Sequence, residues 1–169
     1  MGCARDDASE EGHDTGAQPY RGLEAREIKA VPPERVADLL AGEGAGYALA
    51  AELNHYPGPA HVLELGDRLE LTAEQTDAMR SLESEVHARA RPLGRRIVAL
   101  ERRLDRAFRS AGATRAAVAA LTAQIGALEG RLRSVHLAGH LEAKRLLSRH
   151  QIRRYDELRG YGADHAHAG

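Results

Sequence analysis

Tryptophan is missing from this chain, and phenylalanine and cysteine occur once each. A lone cysteine excludes an intramolecular disulfide framework. With so few large aromatics, any core must be assembled from Leu, Val, Ile and Ala, and β-branched residues are too sparse to suggest a sheet. No run of about eighteen apolar residues occurs, so the sequence holds no membrane-spanning helix. The signatures of enzyme chemistry are also lacking. His-Glu-x-x-His is absent, no glycine-rich phosphate loop follows a strand, and Glu83 and Glu85 fall on different faces of a helix, where they cannot share a substrate. The expectation is a protein that is not an enzyme.

What is abundant is Ala, Leu, Arg and Glu, a composition that reads as all-α, and 169 residues make one domain's worth of chain. The organising stretch runs from Leu71 to Gln151, read as a long antiparallel helical hairpin. Thr72 and Gln75 form a capping box at its start. Met79, Leu82, Val86, Leu93, Ile97, Leu100 and Leu104 then lay an apolar stripe along the first arm. Gly112 is expected as the left-handed cap of that arm and Thr114 as the N-cap of the next. Val118, Leu121, Ile125, Leu128, Leu132 and Val135 continue the stripe. Ser148 and Gln151 repeat the capping box before a short last helix. Pro92 lies inside the first arm and predicts a kink or break near Arg91, with helices over 72–90 and 92–110.

Before the hairpin, residues 1–22 read as a disordered acidic tether, and 23–162 as a single helical domain. Gly22–Ala30 is a weak helical stretch. Short helices are expected over Glu34–Ala41, stopping at Gly42, over Tyr47–Leu53, and over Ala60–Leu69, packed on the hairpin because they are too short to stand alone. Residues 163–169 form a flexible His-containing tail. Two long helices bury little by themselves, so a homodimer is expected.

The formal charge of −1 conceals an asymmetry. Residues 1–78 carry 16 Asp and Glu against 6 Lys and Arg, a net of −10, whereas residues 79–154 carry 17 basic against 6 acidic, a net of +11. Arg89, Arg91, Arg95, Arg96, Arg102, Arg103, Arg106 and Arg109 crowd about five turns of helix. Such a face steers acidic or unfolded protein clients or anionic lipid. The alternative is a solvated face balanced by the acidic third. Nucleic acid is excluded as a partner, since no interleaved aromatics or binding motif accompany the arginines.

Cys3, just ahead of a polar acidic run, resembles the start of a mature bacterial lipoprotein after removal of its signal peptide, with Met1 supplied separately. A lipid anchor at Cys3 would then be the only contact with a membrane. The alternative is an ordinary near-terminal Cys.

Leu71-Thr72-x-x-Gln75 near the start of a long hairpin and Leu147-Ser148-x-x-Gln151 before its final helix resemble the paired Leu-Thr-x-x-Gln motifs of the Spy/CpxP family of bacterial periplasmic proteins. Pro92 is similar to that family's pattern. The resemblance covers about residues 60–160, with Ser148 departing from the usual Thr, and Gly44–Pro59 looks like proteins described as periplasmic heavy-metal sensors or refolding chaperones. It implies a curved, all-helical dimer in the periplasm or envelope, produced under stress. Such a dimer either shelters unfolding clients without ATP or binds zinc, nickel, cobalt or copper in heavy-metal resistance.

The histidines suggest where such an ion would sit. His136 and His140 are one turn apart on one arm, and Glu83 and His87 one turn apart on the other. If the hairpin turns midway between Ala111 and Gly112, His87 stands level with His136 and Glu83 with His140. Three imidazoles and a carboxylate suit a borderline divalent ion such as Zn²⁺, Ni²⁺, Co²⁺ or Cu²⁺. The alternative is that Glu83 and His87 form a surface pair while His136 and His140 pack at the stripe's edge. His165 and His167 offer a looser metal-gathering tail. His55, His61 and His150 sit beside turns or caps and carry no hypothesis. The reading from a different class is a structural hairpin that serves only dimerisation or a partner helix.

Overall fold

The computed structural model describes residues 19–161 and is all-helical, with no strand among the described residues. A single 3₁₀ turn at Leu23–Ala25 precedes six helices: α1 (Pro33–Ala41), α2 (Leu49–Glu52), α3 (Pro59–Glu64), α4 (Ala73–Arg109), α5 (Arg115–Leu146) and α6 (Arg149–Arg159). The weak helical stretch at Gly22–Ala30 amounts to that 3₁₀ turn alone. Helices α2 and α3 are shorter than their apolar patterns suggest, because bends and turns over 43–48 and 65–70 take the flanking residues. Cys3, His165 and His167 lie outside the described residues, as does nearly all of the expected tether. None of the described helices is long and apolar enough to cross a membrane.

The long pair α4 and α5 is the scaffold, and two apolar clusters run along it. One joins Ile28, Leu39, Tyr47 and Ala90 to Ile97, Val98, Leu100, Leu121, Ile125, Leu128, Leu132 and Val135. The other gathers Val62, Leu69, Met79, Ala143, Leu147 and Tyr155 at the opposite end. Gly139 lets the pair approach closely, since a Cβ there would stand 2.8 Å from Val86 Cγ2.

Both capping boxes form, and they clasp each other. Thr72 and Gln75 exchange hydrogen bonds of 3.1 Å in each direction, and Ser148 and Gln151 do the same at 2.9 and 3.2 Å. The two glutamine amides then pair, each Nε2 donating to the other's Oε1 at 2.9 Å. Their second amide hydrogens go to the carbonyls of Leu146 and Leu69. Each side chain thereby uses both donors and both acceptor positions. This is the physical reason for a motif that occurs twice: the glutamine that caps its own helix also ties the start of α4 to the start of α6.

Pro92 does not divide the first arm. Helix α4 runs unbroken from Ala73 to Arg109 with Pro92 inside it. An internal proline costs a helix about 3 kcal/mol. Here that cost is offset by packing on both sides, with Ala90, Gly94, Ile97 and Val98 all buried. Helix α1 lies across this point so closely that a Cβ on Gly94 would fall 1.8 Å from the Leu39 carbonyl oxygen. Arg91 Nε donates to the Ala41 carbonyl at 2.9 Å and holds the end of α1 in place. At the far end of α4 the expected cap also differs. Ala111, with φ of 53°, takes the left-handed conformation and Gly112 does not, the Gly112 amide donating instead to the Ala107 carbonyl at 3.0 Å. Thr114 caps α5 as its sequence position suggests, accepting from the Ala117 amide.

Candidate functional site

Glu83, His87, His136 and His140 line one cavity of about 430 Å³, walled by α4 and α5 on one side and by the α1–α2 loop and the start of α3 on the other. The helix positions follow from the one-turn spacing, which puts each pair on the face of its helix that borders the apolar stripe. The opposite wall exists because Gly42 caps α1 in the left-handed region, with φ of 82°, and turns the chain over His87 and His136.

His136 is the deepest of the four. It is 6 % exposed, and its Nε2 is buried with no hydrogen-bond partner. Burial, followed by the neighbouring rings of His140 and His87, pushes its pKa down to about 4, so the ring is neutral at physiological pH. His140 Nδ1 lies 2.7 Å from the Tyr56 carbonyl oxygen. A carbonyl can only accept, so Nδ1 is the donor in this contact. An imidazole oriented in this way by a backbone carbonyl is typical of metal-binding histidines. His87 Nε2 stands 3.9 Å from Glu43 Oε2. Glu83 is half-buried on the cavity wall, with no hydrogen bond or ion pair among the described residues. The four therefore share a cavity, and among the described residues no three His, Cys, Asp or Glu side chains stand close enough to share an ion as they are placed. Neither His136 Nε2 nor His140 Nε2 has a hydrogen-bond partner among the described residues, and the His87 ring and the Glu43 and Glu83 carboxylates line the same cavity.

Three cavity residues carry no signal in the spacing of the sequence. Glu43 arrives on the α1–α2 loop. Glu52 is 5 % exposed and acts as a hub: its Oε1 accepts from the Tyr155 hydroxyl and, at 3.1 Å, from the Tyr161 hydroxyl, while its Oε2 accepts from the Gly58 amide at 3.2 Å. Burial, and then this carboxylate, raises the Tyr155 pKa well above the ordinary value. His61, which looked like a turn residue, places Nδ1 3.4 Å from Glu52 Oε1. All three belong to short segments whose placement depends on contacts distant in sequence, so no periodicity announces them.

The arginines of α4 divide into two groups. Arg89 pairs with Glu85, Arg102 with Glu27 at 2.7 Å, and Arg109 with Asp105 and with the Glu27 carbonyl. Arg95, Arg96, Arg103 and Arg106 are exposed and make no ion pair among the described residues. Elsewhere on α4 an apolar cavity of about 450 Å³ is lined by Ile28, Leu104 and Phe108, with Lys29, Glu101, Asp105 and Arg109 at its edge, the phenylalanine being 62 % exposed. No family model, curated protein or solved structure matches the chain.

Proposed function

We propose that this chain is a binding protein of the bacterial periplasm or envelope, of the Spy/CpxP type, whose central cavity takes a divalent transition ion (Zn²⁺, Ni²⁺, Co²⁺ or Cu²⁺) for sensing or buffering. The observation that carries this reading is His136 Nε2. A buried imidazole nitrogen with nothing to bond costs stability, and the ring that carries it lines a cavity together with His140 and His87. His136 is neutral, so its lone pair is available without displacing a proton. In this reading the helix pair is an antiparallel hairpin, the active form is a homodimer, Cys3 is a lipid anchor, and no chemical reaction is catalysed. Isothermal titration with each of the four ions, comparing wild type with His136→Ala/His140→Ala, tests it. Sub-micromolar binding that the variant loses is expected; binding indifferent to those histidines would refute the site.

A second reading is favoured by separate observations on α4, the exposed Arg95, Arg96, Arg103 and Arg106 and the apolar cavity at the exposed Phe108, with Arg109 at its edge. Such a surface attracts unfolded acidic segments at long range and holds their apolar side chains weakly, a chaperone action that needs no ATP. Suppression of aggregation of a reduced, unfolding client near stoichiometric ratios is expected. A protein that serves only as a structural hairpin would leave the client's aggregation unchanged.

A further inference from the structure

The α1–α2 loop is built to hold one carboxylate against the cavity. Gly42 has φ of 82°, and a Cβ on it would meet Arg91 Cγ at 2.8 Å and the His87 carbonyl oxygen at 3.3 Å. Only glycine brings the chain this close to α4 in this conformation. The amides of Gly42 and Glu43 both donate to the Asp38 carbonyl at 2.9 Å, and the Tyr47 amide to the Gly44 carbonyl at 2.8 Å. Arg35 Nη1 donates to the Ala45 carbonyl at 2.6 Å while its guanidinium lies 4.5 Å over the Tyr47 ring. The Tyr47 hydroxyl donates to Glu129 on α5 at 3.0 Å. The loop backbone is thus tied to both long helices, while the Glu43 side chain is 53 % exposed and makes no hydrogen bond among the described residues.

We propose that Glu43, delivered by this loop, is the carboxylate ligand that joins His87, His136 and His140 around the ion, and that the ion thereby fastens the α1–α2 loop to α4 and α5. The inference rests on the metal reading above. The 3.9 Å gap between Glu43 Oε2 and His87 Nε2 is too long for a hydrogen bond. It exceeds the separation of any two donors in a tetrahedral zinc site, about 3.3 Å, by about half an ångström, so a small rotation of the exposed carboxylate lets one ion bridge them. Gly44, the next residue, lies against His136, an ideal Cβ there standing 3.8 Å from Nδ1. The loop therefore meets two of the three rings at once. Glu83 approaches none of them to within ion-pairing distance in this structure.

The test is Co²⁺ titration of the full chain followed by visible absorption, with wild type, Glu43→Gln, Glu83→Gln and His136→Ala, each first shown by circular dichroism to be as helical as wild type. Amide hydrogen exchange of residues 42–48 with and without Co²⁺ gives a second readout. Binding lost in His136→Ala, weakened at least tenfold in Glu43→Gln and less than threefold in Glu83→Gln, with metal-dependent protection of residues 42–48, is the expected result. If His136→Ala abolishes binding and Glu43→Gln leaves both affinity and loop exchange unchanged, the proposal is overturned and the metal reading stands. If Glu83→Gln is the weakening change and Glu43→Gln is silent, the carboxylate is Glu83 and the proposal fails. Absence of Co²⁺ binding to wild type, or binding indifferent to His136→Ala, overturns both.

Discussion

Gly94→Ala is the substitution whose outcome the packing decides most sharply. In the interior of an isolated helix, replacing Gly with Ala stabilises by about 1 kcal/mol. Here the new methyl would sit 1.8 Å from the Leu39 carbonyl oxygen and 2.6 Å from its carbon. Both are backbone atoms, so no rotamer change relieves the overlap, and α1 must withdraw from α4 by well over an ångström. Overpacking of this kind costs about 1–3 kcal/mol. Withdrawal also exposes part of Leu39, which is 2 % exposed and whose full burial is worth about 1.5–3 kcal/mol. Set against the gain in helix propensity, the net expectation is a loss of about 2–4 kcal/mol, or roughly 6–12 °C in Tm for a domain of this size. The matched control is Gly130→Ala. That glycine lies in α5, is exposed, and has nothing within 4 Å of an added Cβ, so the same change is expected to stabilise by about 0.5–1 kcal/mol. Urea denaturation of both variants, read by far-ultraviolet circular dichroism, checks the pair. Equal effects of the two substitutions, or a Gly94→Ala protein as stable as wild type, would refute the close seating of α1 on α4.

Two further outcomes follow from the clasp and from the buried imidazole. Gln75→Ala and Gln151→Ala are each expected to lose about 2–3 kcal/mol, because each strands the partner amide as well as a helix cap. The double variant should lose less than the sum by about 1 kcal/mol, and strict additivity in urea melts would contradict the amide pair. His136 has a pKa of about 4 in the fold against an ordinary 6.5. The unfolded chain therefore binds the extra proton first as pH falls. Its contribution to stability is complete above about pH 6.5 and is lost progressively toward pH 4, by at most about 3 kcal/mol. Denaturant melts in chelator from pH 7.5 to 4.5 should show a fall in wild type that is shallower by about 2 kcal/mol in His136→Gln; parallel curves would be inconsistent with a buried neutral ring.

The sequence by itself determined whatever depends on neighbours one to four residues away. Thr72 with Gln75 and Ser148 with Gln151 place two helix starts, Thr114 a third, and Gly42 the end of α1, because capping is satisfied within a single turn. The one-turn spacing of Glu83 with His87 and of His136 with His140 puts all four on faces that meet at one cavity. Tertiary structure decided the rest. Pro92 stays inside a continuous helix because α1 and the buried flanks of α4 compensate a lost hydrogen bond, an effect no local rule contains. Ala111 rather than Gly112 takes the left-handed turn, since the connection has to close onto the Ala107 carbonyl. Glu43, Glu52 and His61 reach the cavity, and Arg102 and Arg109 are engaged by Glu27, only because short segments fold back across dozens of residues. Periodicity reports which side of a helix faces the core, whereas the identity of whatever lies opposite is set by packing between elements distant in sequence.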